Sequence, residues 1–372
     1  MQEKLTIQDI ARLAGVSKAT VSRVLNHNTS VAPELRERVM RIVQEYDFVP
    51  NVIATGLAKG HTRLIGVLAP PLTWPAVPEI MRGVADYVEH TLYEIILYTI
   101  NTERDHTDVL DRILAMRMVS GLLAILPGEL SRHLTSRFQQ GLPLVMIEDQ
   151  EAPGNIPWVG IDNVSSAYTA TNHLIELGHR RIAHILGPQH YHCAIERYQG
   201  YRQALEDAGI APDPGLLLQG RFEPASGRQC ATELFSRDRS EWPSAIFVGN
   251  DQMAYGVLEV TEQQGIRVPE DIAIVGFDDN ILSAHMRPPL TTIRQPFFEM
   301  GRTAVEILLN TIDSQHHSNT TEQEQGYRPQ ASNRSFEKSE ESDVDHPIRI
   351  QLPTSLVVRA SSRVRRPLSA GP

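Results

Sequence analysis

Thr6–Asn26 reads TIQDIARLAGVSKATVSRVLN, and the spacing of its apolar residues defines the front of the chain. Thr6 is a good N-cap, and Asp9 follows three residues later, where a carboxylate favours the positive end of a helix. Ile7, Ile10, Ala11 and Ala14 fall on one helical face. Gly15 can adopt the left-handed conformation that stops this helix in a tight turn. Val16 fills the turn from inside, and Ser17 caps a second helix through Thr20. On that helix Val21, Val24 and Leu25 point inward, which leaves Lys18, Ala19, Ser22 and Arg23 on the outer side. Two short helices joined by a glycine turn form the unit whose second helix lies in a DNA major groove.

The outer residues suit that groove. Arg23 can fork onto guanine O6 and N7 or hold a phosphate, Lys18 can reach a guanine edge, and Ala19 is small enough to touch a thymine methyl. Thr6, Ser17, Thr20, Ser22 and Asn26 are short polar side chains suited to phosphate oxygens, which position without specifying. A plain helical hairpin would not need Gly15, Val16, Ser17, Thr20 and Val21 at these spacings together. A third helix, Pro33–Tyr46, opens on a proline favoured in the first turn, with Val39, Ile42, Val43 and Tyr46 packing on the first two.

The rest of the chain sets the context. Its 372 residues, 41% apolar and 22% charged, are enough for two or three domains around a large core. A net charge of −10 argues against a nucleic-acid partner for the chain as a whole. Residues 1–60, however, hold eight Lys/Arg and six Asp/Glu, a balance of +2, which leaves −12 for the remainder. A mildly basic head on an acidic body can dock on DNA through the head alone. The two cysteines, Cys193 and Cys230, have no CxxC spacing and form no zinc framework, as expected of a reduced cytoplasmic protein. No apolar run reaches the roughly 18 residues of a membrane span, and no export signal follows Met1.

From residue 63 the texture alternates between strand and helix. Apolar runs at Leu64–Ala69, Tyr93–Thr99, Gly121–Leu126, Leu144–Ile147 and Trp158–Ile161 form one series. Arg181–Leu186, Leu216–Gln219, Ala245–Val248 and Ile272–Phe277 form a second. Helical periods at Glu79–Glu89, Ser165–Glu176, Glu196–Ala208 and Met253–Gln264 lie between them. Such alternation predicts two lobes with parallel sheets and a ligand cleft at the carboxyl ends of the strands. Residues 313–346 are polar and predict a disordered insertion, after which Arg349–Val358 resumes as strand. The expected domains are a headpiece over 1–50, a link over 51–62, a body over 63–360 and a tail over 361–372. Within the body, one lobe takes 63–162 plus 293–312 and the other takes 163–290 plus 348–360.

The AGVSKATVSRVLN run, YDFVPN at 46–51, VGND at 248–251, VGFDD at 275–279 and PPLTTIRQP at 288–296 resemble the LacI/GalR family of bacterial repressors. The likeness covers nearly the whole chain except 313–346. It implies an all-α helix-turn-helix headpiece plus an α/β periplasmic-binding-protein-like body of two parallel-sheet subdomains. It also implies a homodimer on a pseudo-palindromic double-stranded DNA operator, with affinity set by a small-molecule effector. In the family the link forms a hinge helix only when two copies meet on DNA. Asn51–Lys59 match it, with Asn51 and Ala54 at contact positions and Leu57 as the minor-groove wedge. Nine residues containing Gly56 cannot sustain an isolated helix, which agrees.

By the same resemblance Arg197, Asn250, Asp278, Gln295, Phe297, Phe222, Glu148 and Trp74 face the effector. A carboxylate, an amide, an arginine and aromatic platforms suit a mono- or oligosaccharide, with a nucleobase or other small metabolite as the alternative. Asp251 is expected to cap a helix, Asp279 to sit in a solvated turn, and His173, His179 and His184 to be surface or capping residues. There is no G-x-S-x-G, P-loop, G-x-G-x-x-G or HExxH, so no catalytic residue, metal or cofactor is expected. A solute-binding protein without a DNA role would share the body but would have no use for Thr6–Asn26.

Overall fold

Helix α1 (Ile7–Ala14) begins in a reciprocal cap: Thr6 N–H donates to Asp9 Oδ2 at 2.9 Å, and Thr6 Oγ1 accepts from the Asp9 N–H at 3.4 Å. It ends where Gly15 turns to φ +62°. Ser17 Oγ then accepts from Thr20 N–H at 3.1 Å, opening α2 (Lys18–Leu25), and α3 (Pro33–Glu45) follows. Ile10, Val21, Val24 and Val39 make the core of this front unit. Tyr46, expected inside, is 45% exposed, because α3 stops at Glu45 and the ring leaves the buried stripe.

The computed structural model describes residues 5–25, 31–48, 62–100, 111, 118–125, 130–148, 155–324 and 348–363. It divides into the front unit, residues 1–63 with 116–118, and a body of 64–115 with 119–372. Residues 51–61 of the link expected over 51–62 lie outside the described residues.

Among the described residues the body holds two six-stranded sheets. The first takes β1 (Leu64–Ala69), β2 (Glu94–Thr99), β3 (Gly121–Ile125), β4 (Leu144–Ile147), β5 (Trp158–Ile161) and β11 (Arg349–Leu352), in the order β11-β5-β4-β3-β1-β2, all parallel. The second takes β6 (Ile182–Leu186), β7 (Leu217–Gln219), β8 (Ala245–Val248), β9 (Ala273–Asp278), β10 (Thr291–Arg294) and β12 (Ser355–Val357), in the order β12-β10-β9-β8-β6-β7. Only β12 runs antiparallel to its neighbour. Central strands covered on both faces must be apolar at every position, and β1 and β3 are buried throughout.

Helices α4 (Ala76–Val88) and α5 (Ser131–Gln139) belong to the first lobe. The second has α6 (Asn163–Glu176), α7 (His192–Asp207), α8 (Pro224–Phe235) and α9 (Asp251–Gln263), and α10 (Phe297–Glu324) returns to the first. Gly83 lets α4 and α10 touch backbone to backbone, since a Cβ there would lie 1.9 Å from the Phe298 carbonyl oxygen. That contact fixes the start of α10, and with it Phe297.

The chain passes between lobes at Asp162, at Gln295–Pro296 and at Pro353–Thr354. Three expectations change as a result. All of Thr291–Arg294 belongs to the second sheet, so 293 and 294 leave the first lobe. Pro353 cannot serve a ladder, so the 349–358 run splits, and Arg349–Leu352 joins the first sheet beside Trp158–Ile161 instead of the second. Helix α10 also runs through residue 324, into the stretch expected to be disordered. Extending a helix already seated on its buried residues adds one hydrogen bond per residue without a new nucleus, and no glycine or proline intervenes before Gly326. Residues 325–347 lie outside the described residues.

Candidate functional site

In the front unit, Ser17, Lys18, Ala19 and Arg23 are exposed along α2 and the turn before it. Thr20 and Ser22 are half-buried, and Thr6 is exposed at the cap of α1. Arg12 is held by Asp9 at 2.8 Å on the other helix. The outward side of α2 therefore combines two cations, one methyl and several hydroxyls, a set able to bind phosphates and base edges. Asn26, Asn51, Ala54 and Leu57 lie outside the described residues.

In the body a cavity of about 270 Å³ opens between the lobes. All of the residues expected there line it: Trp74, Glu148, Arg197, Phe222, Asn250, Asp278, Gln295 and Phe297. They converge because Glu148, Asn250 and Asp278 stand at the carboxyl ends of β4, β8 and β9, while Gln295 and Phe297 lie on the second passage between lobes. Among the described residues, five non-glycine positions have positive φ, and Glu148 (+65°), Phe222 (+62°) and Asp278 (+121°) of these face the cavity. Left-handed backbone costs about 1–3 kcal/mol per residue, and here it aims three side chains at one space. The far end of the Phe222 ring abuts Gly187, where a Cβ would come within 2.2 Å of it.

Arg197 donates through Nε to Asn163 Oδ1 at 3.0 Å and through Nη1 to the Gly249 carbonyl at 2.8 Å, with Asp278 Oδ1 3.8 Å away. Gln295 Nε2 donates to Asp278 Oδ1 at 2.7 Å. Among the described residues, two acceptor oxygens, Glu148 Oε1 and Gln295 Oε1, are buried without a hydrogen-bond partner. Burial pushes the Glu148 carboxyl up to about 7, with Asp278 and Glu196 adding to the rise and Arg197 opposing it. Asp278 is likewise raised by burial, against the pull of Arg197 and of the Gln295 hydrogen bond.

Three readings of the sequence are corrected. Asn250, not Asp251, caps α9, accepting from Met253 N–H at 3.0 Å while its Nδ2 donates to the Phe222 carbonyl at 3.2 Å. Asp251 is fully buried, accepting from Asn280 N–H (2.9 Å), Ser283 Oγ (2.5 Å) and Thr292 Oγ1 (2.6 Å). Asp279 is no solvated turn residue, because Arg294 and Arg359 both reach its carboxylate at 2.6 Å and close over it. His184 sits inside central strand β6, where both faces are covered. It donates to the Phe247 carbonyl at 2.9 Å and stacks on that ring. The sequence reading missed Tyr191 and Cys193, which line the cavity at the start of α7. Tyr191 meets Trp74 of the other lobe edge-on, with 5.7 Å between ring centroids. Among the described residues no group of His, Cys, Asp and Glu could hold a metal ion, and no helix is long and apolar enough to cross a membrane.

Residues 6–51 match the profile of bacterial regulatory proteins of the lacI family, and residues 171–335 match a periplasmic binding protein-like domain. The HTH-type transcriptional repressor PurR of Aliivibrio fischeri (strain MJ11) is 37% identical over 318 residues, 84% of this chain and 93% of that protein. The crystal structure of the lac repressor dimer bound to operator and the anti-inducer ONPF is similar at TM-score 0.80 and 27% identity, covering 97% of this chain and 100% of that one. The complex of the transcriptional regulator CelR with cellobiose is similar at TM-score 0.66 and 31% identity, over 96% of this chain and 100% of the other.

Proposed function

Because this chain belongs to the lacI family of bacterial regulators and is a DNA-binding transcriptional repressor, we propose that a small polyhydroxylated effector fills the cavity between its lobes and sets its affinity for operator DNA. The observation that carries this reading is the pair of buried, unpaired acceptors, Glu148 Oε1 and Gln295 Oε1, beside the Phe222 ring. Unpaired buried acceptors are costly. Hydroxyl donors on a ring whose apolar face lies on an aromatic platform would satisfy them. The CelR structure was solved with cellobiose, which supports a carbohydrate. At about 270 Å³ the cavity lies at the small end of ligand pockets, which favours one ring over a longer sugar. A nucleobase is the second reading, since its ring N–H groups would meet the same two acceptors and stack on the same phenyl ring.

On DNA, Lys18, Ala19 and Arg23 read base edges, while Thr6, Ser17, Thr20, Ser22 and Asn26 hold phosphates. Asn51, Ala54 and Leu57 complete the contact from the hinge. Two copies bind a pseudo-palindromic site, as the dimeric lac repressor neighbour on its operator suggests. Effector and DNA must change each other's affinity by one common factor, typically about 5–150-fold.

Titrating labelled operator at several salt concentrations tests the DNA half. Affinity should fall steeply with salt, and Arg23→Ala should weaken binding by about 1–3 kcal/mol. An Arg23→Ala protein that binds like the parent would remove α2 as the reader. A thermal-shift series with monosaccharides and with free bases tests the other half, and stabilisation by bases alone would displace the sugar.

A further inference from the structure

We propose that the effector carries a basic amine, so that the cavity receives an amino sugar as its ammonium form and seats that charge against Glu148. This rests on the polyhydroxylated-ligand reading above and names the ligand more closely.

The first ground is the distribution of charge. Arg197 is already engaged by Asn163 and the Gly249 carbonyl, and its planar group lies 3.8 Å over the Phe277 ring. The carboxylate nearest it is Asp278, which also receives Gln295. Glu223 also lines the cavity but is exposed to solvent, so Glu148 is the buried carboxylate there with no cation against it. It is 5% exposed, fixed by a left-handed backbone, and one of its oxygens has no hydrogen-bond partner. Among the described residues no lysine lines the cavity. A buried carboxyl is stable when protonated or paired, and a cation of ligand size would let Glu148 ionise in place.

The second ground is the aromatic wall. Trp74, Tyr191, Phe222 and Phe297 line the same space, with Tyr191 5.7 Å from Trp74 and 6.0 Å from Phe222 between ring centroids. Ring faces attract ammonium groups, and more strongly once water is excluded. A phosphate or carboxylate on the ligand would instead meet three carboxylates, Glu148, Asp278 and Glu223, and an arginine already in use.

The proposal fixes the sign of a pH effect. The groups that act on Glu148 are Arg197, Asp278, Glu196, the Cys193 thiol and a backbone hydrogen bond from Ile161, which favours the ionised form, and Glu196 itself faces His192 at 3.5 Å. Burial holds the Glu148 carboxyl near 7. An ammonium ligand favours the ionised carboxylate, so its affinity should rise as pH climbs from about 5.5 to about 7, below the range where such amines lose their proton. A neutral sugar, whose hydroxyl donates to the same oxygen without a charge of its own, should change far less over the same interval.

Calorimetric titration of the intact repressor with D-glucosamine against D-glucose, and D-galactosamine against D-galactose, tests this directly. N-acetyl-D-glucosamine and D-glucose 6-phosphate serve as charge controls. The amine should bind at least about tenfold tighter than its parent sugar, equivalent to about 1.4 kcal/mol, and the acetylated and phosphorylated forms should lose that advantage. In Glu148→Gln, checked for a cooperative unfolding transition, the amine-to-parent ratio should fall to about one. Were that variant not to fold, the pH series on the unaltered protein decides, because the amine-to-parent affinity ratio should itself rise from about pH 5.5 to about pH 7. Parent sugars binding as tightly as the amines, or amine affinity falling with pH, would overturn the amine and leave the sugar reading standing. Binding of neither pair, with bases bound instead, would overturn both.

Discussion

On α2 the residues that face outward and the residues that hold the helix in place are different ones, whereas around the cavity they are the same. Val21 and Val24 fix α2 from below, and Lys18, Ala19 and Arg23 are exposed above it. In the body, Asn250 caps α9 and braces the Phe222 carbonyl while lining the cavity, and Asp278 secures Gln295 on the passage between lobes. A DNA reader meets a ligand that is rigid and always exposed, so its contacts can be added to a finished hairpin. A clamp must register a small molecule as a change in its own shape, so its contacts have to be structural. Substitution should therefore separate function from stability in the headpiece and merge them in the body.

The sharpest challenge to that contrast is Asp251→Ala. It strips the partner from three buried donors on two different segments, and with each unsatisfied donor costing about 1–3 kcal/mol the expected loss is about 3 kcal/mol or more. Denaturant unfolding followed by tryptophan emission reads it, because all three tryptophans, Trp74, Trp158 and Trp242, lie in the body. A loss below about 1 kcal/mol would show that the carboxylate is not a brace.

Next in size is a pH effect. Glu148, Asp251 and Asp278 all have folded-state proton affinities raised by burial. Between about pH 4 and pH 7 the folded body thus holds more protons than the unfolded chain, and these groups subtract stability as pH rises. Asp271, lowered by hydrogen bonds from Arg267, and Asp9, lowered by Thr6, have the opposite sign, with stability lost as acid protonates them. Glu148→Gln should match the parent near pH 4.5 and gain on it by up to about 3 kcal/mol above pH 8, read from paired thermal melts. Parallel curves would mean that Glu148 does not titrate in the folded body.

The smallest effect belongs to the headpiece. Thr6→Ala removes one half of the reciprocal cap on α1 and should cost that unit about 1 kcal/mol. Amide exchange in α1 should quicken while tryptophan-detected unfolding stays where it was.

What could be read from sequence follows the range of the forces involved. The cap at Thr6, the turn at Gly15 and the cap at Ser17 are contacts between residues a few positions apart, so local spacing specified them. Most strands were legible for a related reason: strands covered on both faces are unbroken apolar runs. Strand β10, TTIR, is short and half polar, and its pairing with β9 and β12 draws on distant segments. The division at Pro353 and the exchange of roles between Asn250 and Asp251 are equally non-local. Either neighbour could cap α9, and the choice is made by Ser283 and Thr292. Tyr191 and Cys193 were within reach. They follow β6 as Asn250 follows β8, and the rule that strand ends face the cleft applies to both.

Residues 349–357 supply the final edge of both sheets, β11 beside β5 and β12 beside β10. As the ribosome delivers the chain, the DNA-reading helices are complete long before either lobe can close its sheet. A product cut short ahead of Arg349 would expose two bare strand edges at once, each a template for pairing with another molecule. It would still carry a headpiece, but one no longer answerable to any metabolite.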